Sequence, residues 1–244
     1  MPFAFFAALR TCLALSVLSV YTLIVGPPVL LWTAASRDLR FIYATGQGGI
    51  RLAFALVGIR LRVVGTEHIQ RGRSAVYAAN HSSNIDPPVV FLAMSPLYPR
   101  VRILYKAELR KLPLLVWVFD IAGFVPIERG NREQSFPALE RATRALIDGH
   151  SFLIFPEGTR SRTGELLPFK KGGFVMAIGA QVPIVPVAVS GGRDAMRKGS
   201  SIIWPVTVTV VFGAPIPTAG RTADDRDALI AAVRGAIAAQ MPRA

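Results

Sequence analysis

The chain has 244 residues, 52% of them hydrophobic, and 28 Lys and Arg against 15 Asp and Glu give a formal net charge of +13. That length suits one sizeable core, and no Ser/Gly-rich or Pro-rich linker divides it. So basic a balance points to a polyanion as partner. A mean hydropathy of +0.42, with no helix-turn-helix, zinc-finger or aromatic RNA-binding signature, excludes a nucleic-acid module and leaves an anionic membrane surface.

No charged residue occurs between Arg10 and Arg37, a run longer than the roughly 20 apolar residues that cross a hydrocarbon core. It also exceeds the roughly 7–15-residue apolar region of a secretory signal. Gly26-Pro27-Pro28 interrupts the run, which argues against one straight helix and for either a kinked span or two helices dipping into one leaflet. Arg37, Arg40, Arg51, Arg60 and Arg62 follow closely. By the positive-inside rule they place the remainder on the cytoplasmic face of the cell inner membrane. Residues 40–62 mix apolar side chains with Arg, as an interfacial amphipathic helix does. The sole cysteine, Cys12, lies in the apolar run, so no intramolecular disulfide can form. Residues 1–60 are expected to be a membrane-anchoring helical segment and 61–244 the working domain.

From residue 61 short apolar runs alternate with longer helical ones, the pattern of an α/β domain with a mixed, largely parallel sheet flanked by helices. Strands are expected at 61–64, 75–79, 101–105, 124–127, 151–155, 184–189 and 206–212. Helices are expected at 86–93, 108–121, 135–148, 172–179 and 224–239. Asp86-Pro87 reads as an N-cap followed by a first-turn proline, and Gly149 as the residue that closes its helix. Pro183 and Pro186 place their strand at an edge or beside a pocket wall. His81, Lys106, Arg129 and Glu157 each fall just beyond a strand's C-terminal end, the edge at which open α/β sheets bind ligands.

His81 and Asp86 are five residues apart, about 140° around a helix, so they can meet only across a turn. There the carboxylate can accept the Nδ1 proton and leave Nε2 as a base. A substrate hydroxyl activated directly by that base needs no serine or cysteine nucleophile. Glu157-Gly158-Thr159-Arg160 puts a carboxylate, a flexible backbone and a bidentate phosphate donor into one turn. The bland alternative for that turn, an exposed Glu/Arg pair, weighs equally on these residues alone. The three histidines have no cysteine partners and no metal-site spacing, so no metal is expected.

Together these segments resemble the 1-acyl-sn-glycerol-3-phosphate acyltransferase (lysophosphatidic acid acyltransferase) family over residues 60–215 or so. Asn80 to Asp86 is similar to the family's first motif, and Gly123 to Arg129 to its second. Phe155 to Ser161 is similar to its third, Val182 to Val187 to its fourth, and Tyr105 to Leu109 to a stretch that carries a lysine near the substrate phosphate. The resemblance implies transfer of a fatty acyl group from acyl-CoA or acyl-carrier protein to the sn-2 hydroxyl of a lysophospholipid, without a cofactor. It implies His81 as general base and Asp86 as its orienter. Lys106, Arg129 and Arg160 would hold the phosphate, Gly158 and Thr159 would complete that turn, and Glu157 would hold the glycerol. Another lysolipid acceptor, such as a lyso-ornithine lipid, fits the same motifs. A non-catalytic membrane-surface binding protein leaves the His-Asp pair without a purpose, and a hydrolase would want a Gly-x-Ser-x-Gly elbow that the sequence lacks.

Overall fold

A computed structural model describes residues 2–111, 113–128 and 132–241. Helix α1 (Pro2–Ser36) is 35 residues long, about 52 Å, and is continuous through Gly26-Pro27-Pro28. Of the two expected forms, the pair of helices is absent and the single span is present. The two prolines lack only their own N–H donors, and both are exposed, while Val29, Leu30 and Thr33 in the next turn are buried. Packing therefore holds the helix through a point that local chemistry disfavours. Arg37 adopts a positive φ of 56° and turns the chain into α2 (Arg40–Val57).

The two helices form a hairpin against the rest of the molecule. Tyr21 Oη donates to the Thr45 carbonyl at 2.9 Å. Gly49 admits that ring, because a Cβ there would stand 3.0 Å from Tyr21 Cε1. Positions 7, 11, 14, 29, 30 and 33 of α1 are buried on one stripe, whereas Phe3, Phe6, Leu9, Leu13, Leu23, Ile24 and Trp32 are exposed. Helix α2 lies beneath, with Phe54 and Val57 in the main core and Tyr43 Oη donating to the Val101 carbonyl at 2.6 Å.

The chain passes through Gly58 into β1 (Arg60–Val64) and a seven-stranded sheet. The other strands are β2 (Val76–Ala79), β3 (Val101–Lys106), β4 (Val125–Ile127), β5 (Ser151–Ile154), β6 (Ile184–Ser190) and β7 (Thr207–Phe212), in the spatial order β1-β7-β6-β2-β5-β3-β4. Every pairing is parallel except β6 with β7. The sheet is thus mixed and largely parallel, as the alternating pattern predicts. The helices are α3 (Asp86–Ala93), α4 (Pro113–Ile121), α5 (Arg132–Ile147), α6 (Gly172–Ala180), α7 (Gly192–Ala195) and α8 (Arg226–Gln240). Strand alternation splits the core in two. Tyr77 and Ala79 of β2 join Val89, Val90 and Met94 on one face, and Val76 and Ala78 join Leu146, Phe174, Leu229 and Val233 on the other. Each large side chain buried in this way contributes about 1.5–3 kcal/mol.

Two local expectations change. The helix expected from residue 108 begins instead as a 3-10 turn at Ala107–Lys111, and α4 starts at Pro113. Proline has no N–H with which to continue a helical turn, but it suits a first helical position. Strand β6 is interior, not an edge, despite Pro186. The register with the chain beyond β7 slips by one residue between the pairs Val187↔Phe212 and Ile184↔Ile216, and Pro186 sits at that slip, accepting from Gly213 N at 2.8 Å. A proline at a bulge has no ladder partner to lose.

Candidate active site

Strands β2, β3, β4 and β5 run parallel, so their C-terminal ends share one edge of the sheet. His81 follows β2 by two residues, and Asn80 fixes it there. The buried Asn80 amide donates to the Val189 carbonyl at 2.9 Å and accepts from Val189 N at 2.7 Å, so that a side chain extends the β2–β6 ladder by one pair.

Asp86 is the first residue of α3, with Ile85 as N-cap, and its side chain does not cap the helix. It folds back over the preceding turn instead. Asp86 Oδ2 accepts from Ser82 N at 2.6 Å, Ser83 N at 2.7 Å and His81 Nδ1 at 3.1 Å. The carboxylate can only accept, so the proton rides on Nδ1 and Nε2 presents a lone pair. Asp86 is fully buried, while the His81 side chain keeps 16% exposure. The pair that the spacing predicts is thus formed across a turn, one group locked inside and the other open to a ligand.

Asp86 Oδ1 is buried without a hydrogen-bond partner among the described residues. It faces Gly192, where a Cβ would stand 2.0 Å from it. Gly192 opens α7 directly after β6, and the loop beyond it returns to the site, since Ser83 Oγ donates to the Met196 carbonyl at 2.7 Å. The sequence reading missed Gly192 and gave Asn80, the first residue of its motif, no role of its own. Applying the strand-end rule to β6 would have pointed to the Gly191-Gly192 pair.

The turn after β5 grips His81 from the other side. Glu157 Oε1 accepts from His81 N at 2.6 Å, Ser161 N donates to the His81 carbonyl at 2.8 Å, and the Phe155 ring lies 4.5 Å from the imidazole, centroid to centroid. Glu157 is 3% exposed, and its Oε2 accepts from Leu167 N at 3.0 Å. Burial pushes the Glu157 carboxyl above its ordinary value, opposed by the two amide donors and by the charge of His81. Gly158 has φ +70°, a left-handed turn position where glycine is at ease, and the Lys170 side chain lies across it. Thr159 is exposed and Arg160 partly so, and Lys198 Nζ donates to the Arg160 carbonyl at 3.0 Å and reaches Thr159 Oγ1 at 3.5 Å. Lys106, the last residue of β3, is ion-paired with Glu108. Arg129 lies outside the described residues.

The family profile described as Acyltransferase matches residues 60–190. A 1-acyl-sn-glycerol-3-phosphate acyltransferase of Limnanthes douglasii is 33% identical over 215 residues, which cover 88% of this chain and 74% of the relative. The human 1-acyl-sn-glycerol-3-phosphate acyltransferase alpha is 34% identical over 184 residues, covering 73% of this chain and 62% of that one. Among solved structures, the 1-acyl-sn-glycerophosphate acyltransferase PlsC of Thermotoga maritima superposes with a TM-score of 0.79 at 26% identity, over 98% of this chain and 99% of that one. On the family profile and these relatives, the chain belongs to the 1-acyl-sn-glycerol-3-phosphate acyltransferase family and is an acyltransferase.

Proposed function

We propose that the protein moves a fatty acyl group from a thioester donor, acyl-CoA or acyl-carrier protein, to the sn-2 hydroxyl of 1-acyl-glycerol-3-phosphate, forming phosphatidic acid. The observation that carries the mechanism is the His81–Asp86 pair, with Nδ1 held by a buried carboxylate and Nε2 open at the sheet edge. In that scheme His81 Nε2 takes the hydroxyl proton as the oxygen attacks the thioester carbonyl. The new C–O bond forms, the C–S bond breaks, and the proton leaves with the thiolate. Asp86 keeps the tautomer and stabilises the imidazolium. No enzyme-bound acyl group is required. Arg160, with Gly158 and Thr159 in the same turn, Lys106 at the end of β3, and Arg129 receive the acceptor phosphate. The choice of acceptor rests on the relatives' names together with these cations.

The exposed apolar face of α1 supports seating the enzyme on a membrane, in our reading the cytoplasmic face of the inner membrane. Because α1 packs on α2 through Tyr21 and Thr45 and is tied near its start to Ile203, the helix fits a position along the surface of one leaflet better than a free span. Residues 1–60 are then the anchor, and 61–244 the catalytic domain.

Membranes carrying the protein, offered a panel of lysolipids with acyl-CoA or acyl-carrier protein and analysed by product mass, test both parts. His81→Ala should abolish transfer while leaving the protein in the membrane. Near wild-type turnover in that variant rejects the mechanism, and preference for a phosphate-free acceptor rejects the substrate.

A further inference from the structure

We propose that Glu157 is a positioning residue: its carboxylate clamps the main chain of the base, His81, and makes no contact with the acceptor. This rests on the reading of His81 given above. Glu157 presents almost no surface to a ligand, being 3% exposed, and each carboxylate oxygen already accepts a backbone N–H, from His81 at 2.6 Å and from Leu167 at 3.0 Å. A residue that gripped the glycerol would need an oxygen facing the cleft.

The two amides belong to different parts of the molecule. His81 begins the loop that carries the base, and its carbonyl is held by Ser161 N at 2.8 Å from the same turn as Glu157. Leu167 lies beyond the turn, between Leu166 and Phe169, which pack against the core cluster of α5, α6 and α8. Glu157 therefore ties the base loop to the side of the domain built on α5, α6 and α8. Only an acceptor-only group can serve two N–H donors from two oxygens. The carboxylate is also disfavoured by its own burial, a cost that the two amides offset only in part. Because a misplacement of about 1 Å can cost about 100-fold in rate, an anchor on the base's own peptide acts on turnover without touching substrate.

Glu157→Gln is the test, made in the full chain in membranes with 1-acyl-glycerol-3-phosphate titrated at saturating acyl-CoA. Gln turns an NH2 toward one of the two amides and leaves one loop unanchored. The expected result is a kcat lower by about 10–100-fold, a KM for the acceptor within about twofold, and faster amide hydrogen exchange in a peptide spanning residues 80–86. A KM increase larger than the kcat loss would mark a substrate contact and overturn the proposal, as would unchanged kcat and exchange. If Glu157→Gln does not accumulate, Glu157→Asp, which keeps the charge but is one methylene short, is judged by the same comparison. Near wild-type turnover in His81→Ala would instead reject the underlying reading, whatever Glu157 variants do.

Discussion

Gly192→Ala adds a single methyl group at the back of the site, and the structure fixes its consequence. The new carbon would stand 2.0 Å from Asp86 Oδ1, 3.2 Å from its Cγ and 3.3 Å from Ser83 Cβ. Relief needs a shift of about 1 Å, given ordinary contact distances of about 3 Å or more. Asp86 cannot yield freely, because its Oδ2 is held by three donors at 2.6–3.1 Å. A shift of that size at the group orienting His81 predicts a kcat lower by about 100-fold. Overpacking should destabilise by about 1–3 kcal/mol, and at the first position of a four-residue helix Gly→Ala brings none of the gain it has in a helix interior. At about 2–4 °C of Tm per kcal/mol for a chain of this size, the melting loss is a few degrees. Gly235→Ala, in α8 with nothing near its Cβ, is the matched control and should melt slightly higher with unchanged rate. Initial acylation rates in membranes and thermal melts in detergent read both. Gly192→Ala with kcat within threefold of the parent would refute the reasoning.

Four further outcomes are expected. Asp86→Asn should keep the fold but lose about four orders of magnitude in kcat, since an amide cannot stabilise the imidazolium and can impose the wrong tautomer; a loss below about tenfold would contradict that role. Asn80→Leu leaves the buried Val189 N–H and C=O without partners and should cost about 2–4 kcal/mol in denaturant melts, whereas a loss below about 1 kcal/mol would deny the ladder extension. Arg160→Ala should reduce use of 1-acyl-glycerol-3-phosphate more than use of a phosphate-free lysolipid, and equal losses would reject its assignment to the phosphate. Glu157 titrates higher in the native chain than when unfolded, so within that window the native state holds the extra proton and stability falls as pH rises. His81 and Asp86 act on the same carboxyl. Melts from pH 4 upward should show that slope in the parent and lose it in Glu157→Gln; parallel curves would count against the shift.

The parts of the fold that the sequence made legible are those where one residue type answers one local demand. Strands β2 and β5 read correctly because apolar runs end in polar turns, and α8 because its buried Leu229, Val233 and Ile237 recur at helical spacing. What misled were residues whose local preference was overridden by packing. Pro27 and Pro28 stay helical because the flanking turn is pinned to α2, and Pro186 stays interior because its neighbour's register slips there. The same division runs through the site. His81 and Asp86 meet within five residues, so their spacing carries the signal. Glu157 acts on a main-chain N–H 76 residues away, and every non-proline residue offers an N–H, so nothing in the receiving segment marks the contact. Gly192 is required by the absence of an atom, which leaves no pattern until the opposing carboxylate is in place.

Helix α2 hands over to β1 through only Gly58 and Ile59, and α1 is joined to the loop before β7 by Ile203 N donating to Thr11 Oγ1 at 3.0 Å. Among the described residues, the α1–α2 pair is therefore joined to the sheet without a flexible linker. In the proposed seating, a bilayer that takes up the outer face of α1 stands at a fixed height from His81, set by packing and not by thermal wandering on a tether. With His81 as the proposed base, an acceptor hydroxyl has to reach that height to be acylated. Lengthening the two-residue joint would uncouple depth from chemistry, and chain selection along the bilayer normal would blur before the rate constant of the chemical step moved.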